Sequence, residues 1–353
     1  MDKLKMSICY HRFEKRRNFW RLTRASYWLL VMVVVPGHGY AQTPQSHSAA
    51  SYVERGHDWY EKGELDRAMA DFNIALTFDA RCANAYLFRG LVKKSRMDWE
   101  GALADFSSTI EIRPRFAEAY SNRAAIHLAR GDWRAAFADA TRAIEIKPRL
   151  AAAFNNRGKA YHQMGEIEAA ARDYNKAIAL DSRLTEAYAN RGFARLERGD
   201  LADSLADFNK AIALNPKSSS SYYGRGNVWK AKGSHDRAIT DYNKAIELGP
   251  HCSNAYHNRG NAYLAQGRLE EAISDYSQTI EFDPSNAGAY LNRGLVNFLQ
   301  GNRAEAEQDF AQCLRLAGDR KETCMEKIEK LKGQMLANPD QKLTLSIRKN
   351  SYP

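Results

Sequence analysis

The chain has 353 residues, and what it lacks excludes several classes of protein at once. No CxxC, HExxH or zinc-finger spacing occurs, so no metal centre is expected. His251, Cys252 and His257 come closest to one, but they straddle a loop and a helix start. No nucleophile, base and metal set appears, and nothing outside the repeated body described below is long enough to be a catalytic domain. The expectation is therefore a non-enzyme with no cofactor and no small-molecule substrate. One-signed charge is also missing from the body of the chain. The net charge is +10, but residues 1–41 supply +6 of it and residues 319–353 supply +3, which leaves +1 on 42–318. A nucleic-acid groove needs a concentrated basic stripe, so nucleic acid is not expected as a partner.

A long apolar stretch is absent too. The run YWLLVMVVV at 27–35 is shorter than the roughly 20 residues that cross a bilayer. It follows a basic stretch ending at Arg24 and precedes Pro36-Gly37 and the small residues Gly39 and Ala41. Basic region, short apolar region and small residues before a cut make a secretory signal. Residues 1–41 are read as that signal, cleaved before Gln42, with 42–48 as a flexible leader and the mature chain periplasmic or secreted. The alternative is an uncleaved segment that anchors the chain in a membrane. Export would leave Cys82, Cys252, Cys313 and Cys324 in an oxidising compartment. Cys313 and Cys324 are eleven residues apart and could close a bridge or remain small buried thiols.

What the sequence does have is repetition. YVERG at 52 returns as YLFRG at 86, YSNRA at 120, FNNRG at 154, YANRG at 188, YYGRG at 222, YHNRG at 256 and YLNRG at 290, each 34 residues after the last. Within 151–184, Phe154, Gly158 and Tyr161 share one helical face, Gly165 breaks the helix, and Ala170, Tyr174, Ala177 and Ile178 form the stripe of a second helix. The few prolines fall where second helices should end, at Pro114, Pro148, Pro216, Pro250 and Pro284. Two columns stay small in nearly every unit, one through Gly56, Gly90, Ala124 and their successors, the other through Ala68, Ala102 and theirs. Glycine inside a helix costs about 1 kcal/mol, so its recurrence implies close approach of the partner helix.

This period and pattern resemble the tetratricopeptide repeat (TPR). The resemblance implies an all-α fold, a right-handed TPR α-solenoid superhelix of antiparallel helix pairs with a C-terminal capping helix. It divides the chain into eight repeats over 49–320, beginning at 49, 83, 117, 151, 185, 219, 253 and 287, then a cap at 321–336 and a tail at 337–353. Met97 stands where other units have a turn glycine, and Ala80, Ser182 and Gly318 stand where others have proline.

Three polar columns run through the repeats. The arginines at 55, 89, 123, 157, 191, 225, 259 and 293 match the aspartates at 71, 105, 139, 173, 207, 241, 275 and 309. Opposite charge in equal number reads as structural ion pairing, with Arg191 directed at Asp207. Asn122, Asn156, Asn190, Asn258 and Asn292 sit one residue before the arginine, about 100° away around the helix. They resemble the asparagine ladder of the TPR arm in O-linked N-acetylglucosamine transferases, which implies backbone binding of an extended peptide in the concave groove. Asn155, Lys159, His162, Phe193, Tyr223, Asn227, His257 and Asn261 are the neighbouring groove candidates. The function expected is a non-catalytic scaffold binding a protein or peptide. The alternative is a module for self-assembly or for assembly of an envelope complex, with a homo-oligomer possible.

Overall fold

Small residues, a glycine turn and a closing proline in each 34-residue period favour two short helices over one long one. The structure, a computed structural model, describes residues 48–318 and 321–337. The expected signal, its cleavage site, most of the leader and the tail after 337 lie outside the described residues. Among those described there are seventeen α-helices and no strand: α1 (Ala49–Glu61), α2 (Leu65–Phe78), α3 (Ala83–Ser95), α4 (Trp99–Ile112), α5 (Ala117–Arg130), α6 (Trp133–Ile146), α7 (Ala151–Gln163), α8 (Ile167–Leu180), α9 (Thr185–Arg198), α10 (Leu201–Leu214), α11 (Ser219–Ala231), α12 (His235–Leu248), α13 (Ser253–Ala265), α14 (Leu269–Phe282), α15 (Ala287–Leu299), α16 (Arg303–Leu316) and α17 (Lys321–Ala337). Odd-numbered helices up to α15 open the repeats and begin 34 residues apart. None of the described helices is long and apolar enough to cross a membrane. The fold divides within α7 into two compact units, whose described parts are residues 48–160 and 161–337. We call them the N-terminal and C-terminal units.

Each pair reverses through a turn closed by one residue in the left-handed conformation. At the α9–α10 turn that residue is Gly199 (φ 85°), and Asp200 N–H reaches back to Arg195 C=O at 2.9 Å. The α3–α4 turn repeats this geometry with Met97 at φ 62°, the one described position where a side chain bears the strain of that region. After the second helix the chain turns again, with proline two residues past α4, α6, α10, α12 and α14.

The first-helix glycine column is small because an aromatic ring of the second helix, rather than its backbone, fills the space. A Cβ added to Gly226 would lie 2.6 Å from the Tyr242 ring. Tyr242, like Phe72, Phe106, Phe208 and Tyr276, is fully buried, and each such ring contributes about 1.5–3 kcal/mol. The third repeat shows the reciprocal solution. Ala124 replaces the glycine, Ala140 replaces the ring, and both alanines are fully buried.

The arginine column is a staple with three contacts. Arg191 Nε and Nη2 donate to the two Asp207 carboxylate oxygens at 2.9 and 2.6 Å, its Nη1 donates to Asn175 of the preceding second helix at 2.6 Å, and its guanidinium lies 5.7 Å from the Tyr188 ring. The two-oxygen fork recurs at Arg55, Arg89, Arg123, Arg225, Arg259 and Arg293. The third contact goes to Asn73, Ser107, Asn209, Asn243 or Ser277 in five further repeats, from Arg89, Arg123, Arg225, Arg259 and Arg293. Hydrogen bonding to Asp105, opposed by desolvation, raises the Arg89 guanidinium above its ordinary pKa. These arginines are occupied by the scaffold.

At the C-terminal end α17 packs on α15 and α16 where another first helix would lie. Cys324, Ile328 and Leu331 close a buried cluster with Leu291, Leu295 and Phe310. Cys313 and Cys324 meet there, both buried, with their sulfurs 3.2 Å apart.

Candidate functional site

Alternation of direction places the first helices of each unit side by side, so their outward residues form one face per unit. In the N-terminal unit the face is mixed. Phe88 stands where later repeats have asparagine, stacked on Phe72 at 5.7 Å and edge-on to His57 at 4.8 Å. Further along, Lys94 Nζ donates to Asn122 Oδ1 at 3.1 Å, and Asn122 Nδ2 donates to Glu118 C=O at 2.9 Å. Asn156 Nδ2 donates to Ser121 C=O at 2.9 Å. Asn155 is buried and Lys159 half-buried.

The C-terminal unit carries a connected polar strip. Asn227 Oδ1 accepts from Tyr242 O–H at 2.8 Å and from Asn258 Nδ2 at 3.0 Å. Asn258 Nδ2 also donates to the Tyr223 oxygen at 3.0 Å, and its own Oδ1 accepts from Lys230 Nζ at 2.9 Å. One repeat later Asn261 Oδ1 accepts from Tyr276 O–H and from Asn292 Nδ2, both at 2.8 Å. Burial raises the phenol pKa of Tyr223, Tyr242 and Tyr276. Desolvation lowers the Lys230 ammonium to about 8. Lys230 is only half-buried as a residue, so it is the ammonium end, not the stem, that water fails to reach. His257 lies 5.7 Å from the Tyr276 ring, and His162 Nε2 is 2.8 Å from Glu197 Oε2.

Several expected groove residues are placed differently from an open ladder. Asn190, Asn155 and Phe193 are buried, at 6%, 7% and 8% exposure. The ladder position lies about 100° from the arginine, which turns it toward the adjacent first helix rather than straight out. Asn122, Asn156, Asn258 and Asn292 accordingly hydrogen-bond within or between helices. Asn227 and Asn261 are half-buried, as are Asn122, Asn156, Asn258 and Asn292. The Asn227 and Asn261 oxygens are used internally, while their Nδ2 donors contact no acceptor among the described residues. The gap in the column at Gly224 has a steric cause, since a Cβ there would lie 2.2 Å from the Phe208 ring. The second-helix tyrosines that anchor this strip were not singled out for the role in sequence. The available signal was tyrosine in place of phenylalanine at 242 and 276, paired with asparagine at 227 and 261.

Comparison with known proteins agrees with this architecture. Models described as TPR repeat match residues 158–197, 226–267 and 260–301, and models of the tetratricopeptide repeat match 185–218 and 287–320. The chain is a tetratricopeptide-repeat protein. Among solved structures, the APC/C hetero-tetramer Cut9–Hcn1 aligns with a TM-score of 0.63 at 15% identity, over 79% of this chain and 56% of that one. A tetratricopeptide repeat protein from Parabacteroides merdae aligns with a TM-score of 0.54 at 21% identity, over 70% of this chain and 98% of that one. YrrB, described as a TPR protein with an unusual peptide-binding site, gives 0.43 at 24% identity, over 56% and 97%. No curated protein sequence matches the chain. The TPR fold suggests a scaffold for protein–protein interaction, and proteins of this family are generally non-catalytic.

Proposed function

We propose that the first-helix face of the C-terminal unit binds an extended segment of a partner protein. The observation that carries this reading is the pair of amide donors at Asn227 and Asn261. Tyr242 and Asn258 hold the first by its oxygen, and Tyr276 and Asn292 hold the second, which fixes each amide while leaving its Nδ2 without an acceptor among the described residues. An amide nitrogen so held suits a peptide carbonyl. Adjacent first helices pack about 8–10 Å apart, and an extended chain rises about 3.3 Å per residue. Each amide would therefore meet roughly every third residue of the ligand. Solenoids use such faces for binding.

A photo-reactive amino acid at Tyr223 or His257, followed by mass spectrometry, tests the reading. A discrete partner peptide crosslinked there, and not from Lys210 on the second-helix side, is the expected result. Crosslinking from Lys210 instead would overturn it. If the purified chain forms a defined oligomer and its own peptides are what crosslink, the face serves self-assembly. Export with cleavage before Gln42 belongs to the same proposal, and N-terminal sequencing of the mature protein tests it.

A further inference from the structure

The loops joining one repeat to the next in the N-terminal unit read Asp79-Ala80-Arg81, Arg113-Pro114-Arg115 and Lys147-Pro148-Arg149. Because α1 to α6 alternate in direction, all three lie at one end of that unit. They present five exposed cations against one carboxylate, and Asp79 is already engaged, accepting the Arg81 backbone N–H at 2.8 Å. The turns at the opposite end are balanced, with Lys62 beside Glu64, Arg96 beside Asp98 and Arg130 beside Asp132. The equivalent loops of the C-terminal unit are balanced as well: Asp181 offsets Arg183, and Asp283 offsets Lys217. The basic edge is therefore a local feature and not a property of the repeat.

The scaffold neutralises it only in part: exposed Glu111 lies two residues before Arg113, and Glu145 is taken by Arg142. Lys147 pairs with Glu118 at 2.6 Å. Arg113 lies 5.8 Å from the Phe116 ring and donates to Asn84 at 3.3 Å. Arg81, Arg115 and Arg149 reach no carboxylate among the described residues. The middle loop also borders an open surface depression of about 360 Å³ lined by Arg113, Pro114, Arg115 and Phe116. Two guanidinium forks beside a ring and a proline suit a phosphate oxygen joined to apolar matter.

We propose that this loop edge docks the protein on an anionic phospholipid surface, with a lipid phosphate seated between Arg113 and Arg115. Charge complementarity favours it, because basic side chains near such a surface are drawn to it individually. So does the sequence just upstream. The basic stretch to Arg24 and the apolar run 27–35 precede this unit and, read as a signal, carry the chain to a membrane during export. Nucleic acid is the weaker reading: its recognition uses a helix entering a groove or exposed stacking rings, whereas the rings at this edge are engaged by the scaffold, Phe116 beside Arg113, Tyr120 on the Pro114 carbonyl and Phe78 stacked on Tyr52.

Sedimentation of the full chain with vesicles decides the matter. The chain should bind vesicles of phosphatidylcholine and phosphatidylglycerol more tightly than vesicles of phosphatidylcholine alone, and added salt should weaken that difference. Combining Arg81→Gln, Arg113→Gln, Arg115→Gln and Arg149→Gln should reduce binding to the mixed vesicles by about tenfold or more. Removing the same charge from the C-terminal unit, with Arg183→Gln, Lys210→Gln, Lys217→Gln and Lys232→Gln, should leave it nearly unchanged. Equal loss in both variants would reduce the effect to net charge and overturn the proposal, as would wild-type binding by the first variant. Displacement by millimolar inorganic phosphate, or a preference for a short DNA duplex over the mixed vesicles, would also overturn it. Arg115→Gln with Arg149→Gln is the fallback if circular dichroism shows that the fourfold variant misfolds.

Discussion

The two units share a skeleton and differ in what they lay on it. Both repeat the arginine fork onto aspartate. In the N-terminal unit the second-helix rings are Phe72 and Phe106, opposite His57 and Leu91 on the first helices; in the C-terminal unit Tyr242 and Tyr276 stand opposite Asn227 and Asn261. Where the ring in the C-terminal unit is phenylalanine, at 208 and 310, its first-helix neighbours are Phe193 and Leu295. At Tyr242 and Tyr276 the buried hydroxyl takes an asparagine oxygen as its partner, so in these two repeats tyrosine beneath the face goes with an amide above it. In these two repeats similar backbones thus acquire a different surface through one added oxygen atom.

The largest expected effect tests the shared part. Arg259→Ala strands Asp275, which is 3% exposed and has no second cation on it among the described ion pairs, so about 3–5 kcal/mol should be lost. Arg191→Ala should cost less, because Arg195 remains on Asp207 at 2.7 Å. Arg55→Ala, whose side chain is 47% exposed, should cost less than Arg259→Ala because water already reaches the pair, although it too leaves a buried carboxylate at Asp71. Denaturant melts with one probe for all three variants check the order, and equal losses would mean that exposure does not grade the column.

Lys230 separates the units next. Its folded pKa of about 8 lies below the unfolded value of about 10.4. Between these the unfolded chain binds more protons, so stability rises with pH across that window, by no more than about 3 kcal/mol. Lys230→Met should be the more stable protein at pH 7 and should flatten the rise. A slope between pH 8 and 10 that is the same in wild type and variant would show the ammonium to be solvated.

Gly226→Ala should cost about 2 kcal/mol by pressing a methyl group into Tyr242, despite alanine's higher helix propensity. In a Tyr242→Ala background the same change should cost less, or stabilise, as the natural Ala124 and Ala140 pairing suggests. A double-mutant cycle measures this coupling. Smallest of all, Met97→Gly in the N-terminal unit should stabilise by about 1 kcal/mol by relieving a left-handed side chain, seen as a modest rise in melting temperature.

Most of the fold was legible because its determinants are local. The turn glycines, the closing prolines and the 34-residue spacing place helix ends without any tertiary information, and opposite charges at 191 and 207 find each other because both columns face one seam. The face was less legible because it depends on a few tens of degrees of helix rotation. The asparagine column differs from the arginine column by one residue, and that rotation buries Asn190 and turns the amide bonds sideways into the neighbouring helix. The third arginine contact, to Asn175 and its equivalents, was missed since it joins residues of successive repeats through a column that mixes asparagine, serine and threonine. The basic loop edge was hidden by averaging: a net charge of +1 over 42–318 conceals five cations at one end of one unit.

That third contact also gives the array a polarity. Arg89, Arg123, Arg191, Arg225, Arg259 and Arg293 each lean backward, onto the second helix of the repeat before. Taking away the preceding repeat leaves a charged donor without its acceptor, whereas taking away the following repeat uncovers only a neutral asparagine or serine. Arg55, with no described repeat behind it, is half exposed, and water can satisfy its idle nitrogen. Loss of rungs is therefore asymmetric: the row peels more easily from its C-terminal edge, and that is the edge where α17 sits like a stop at the end of a rail.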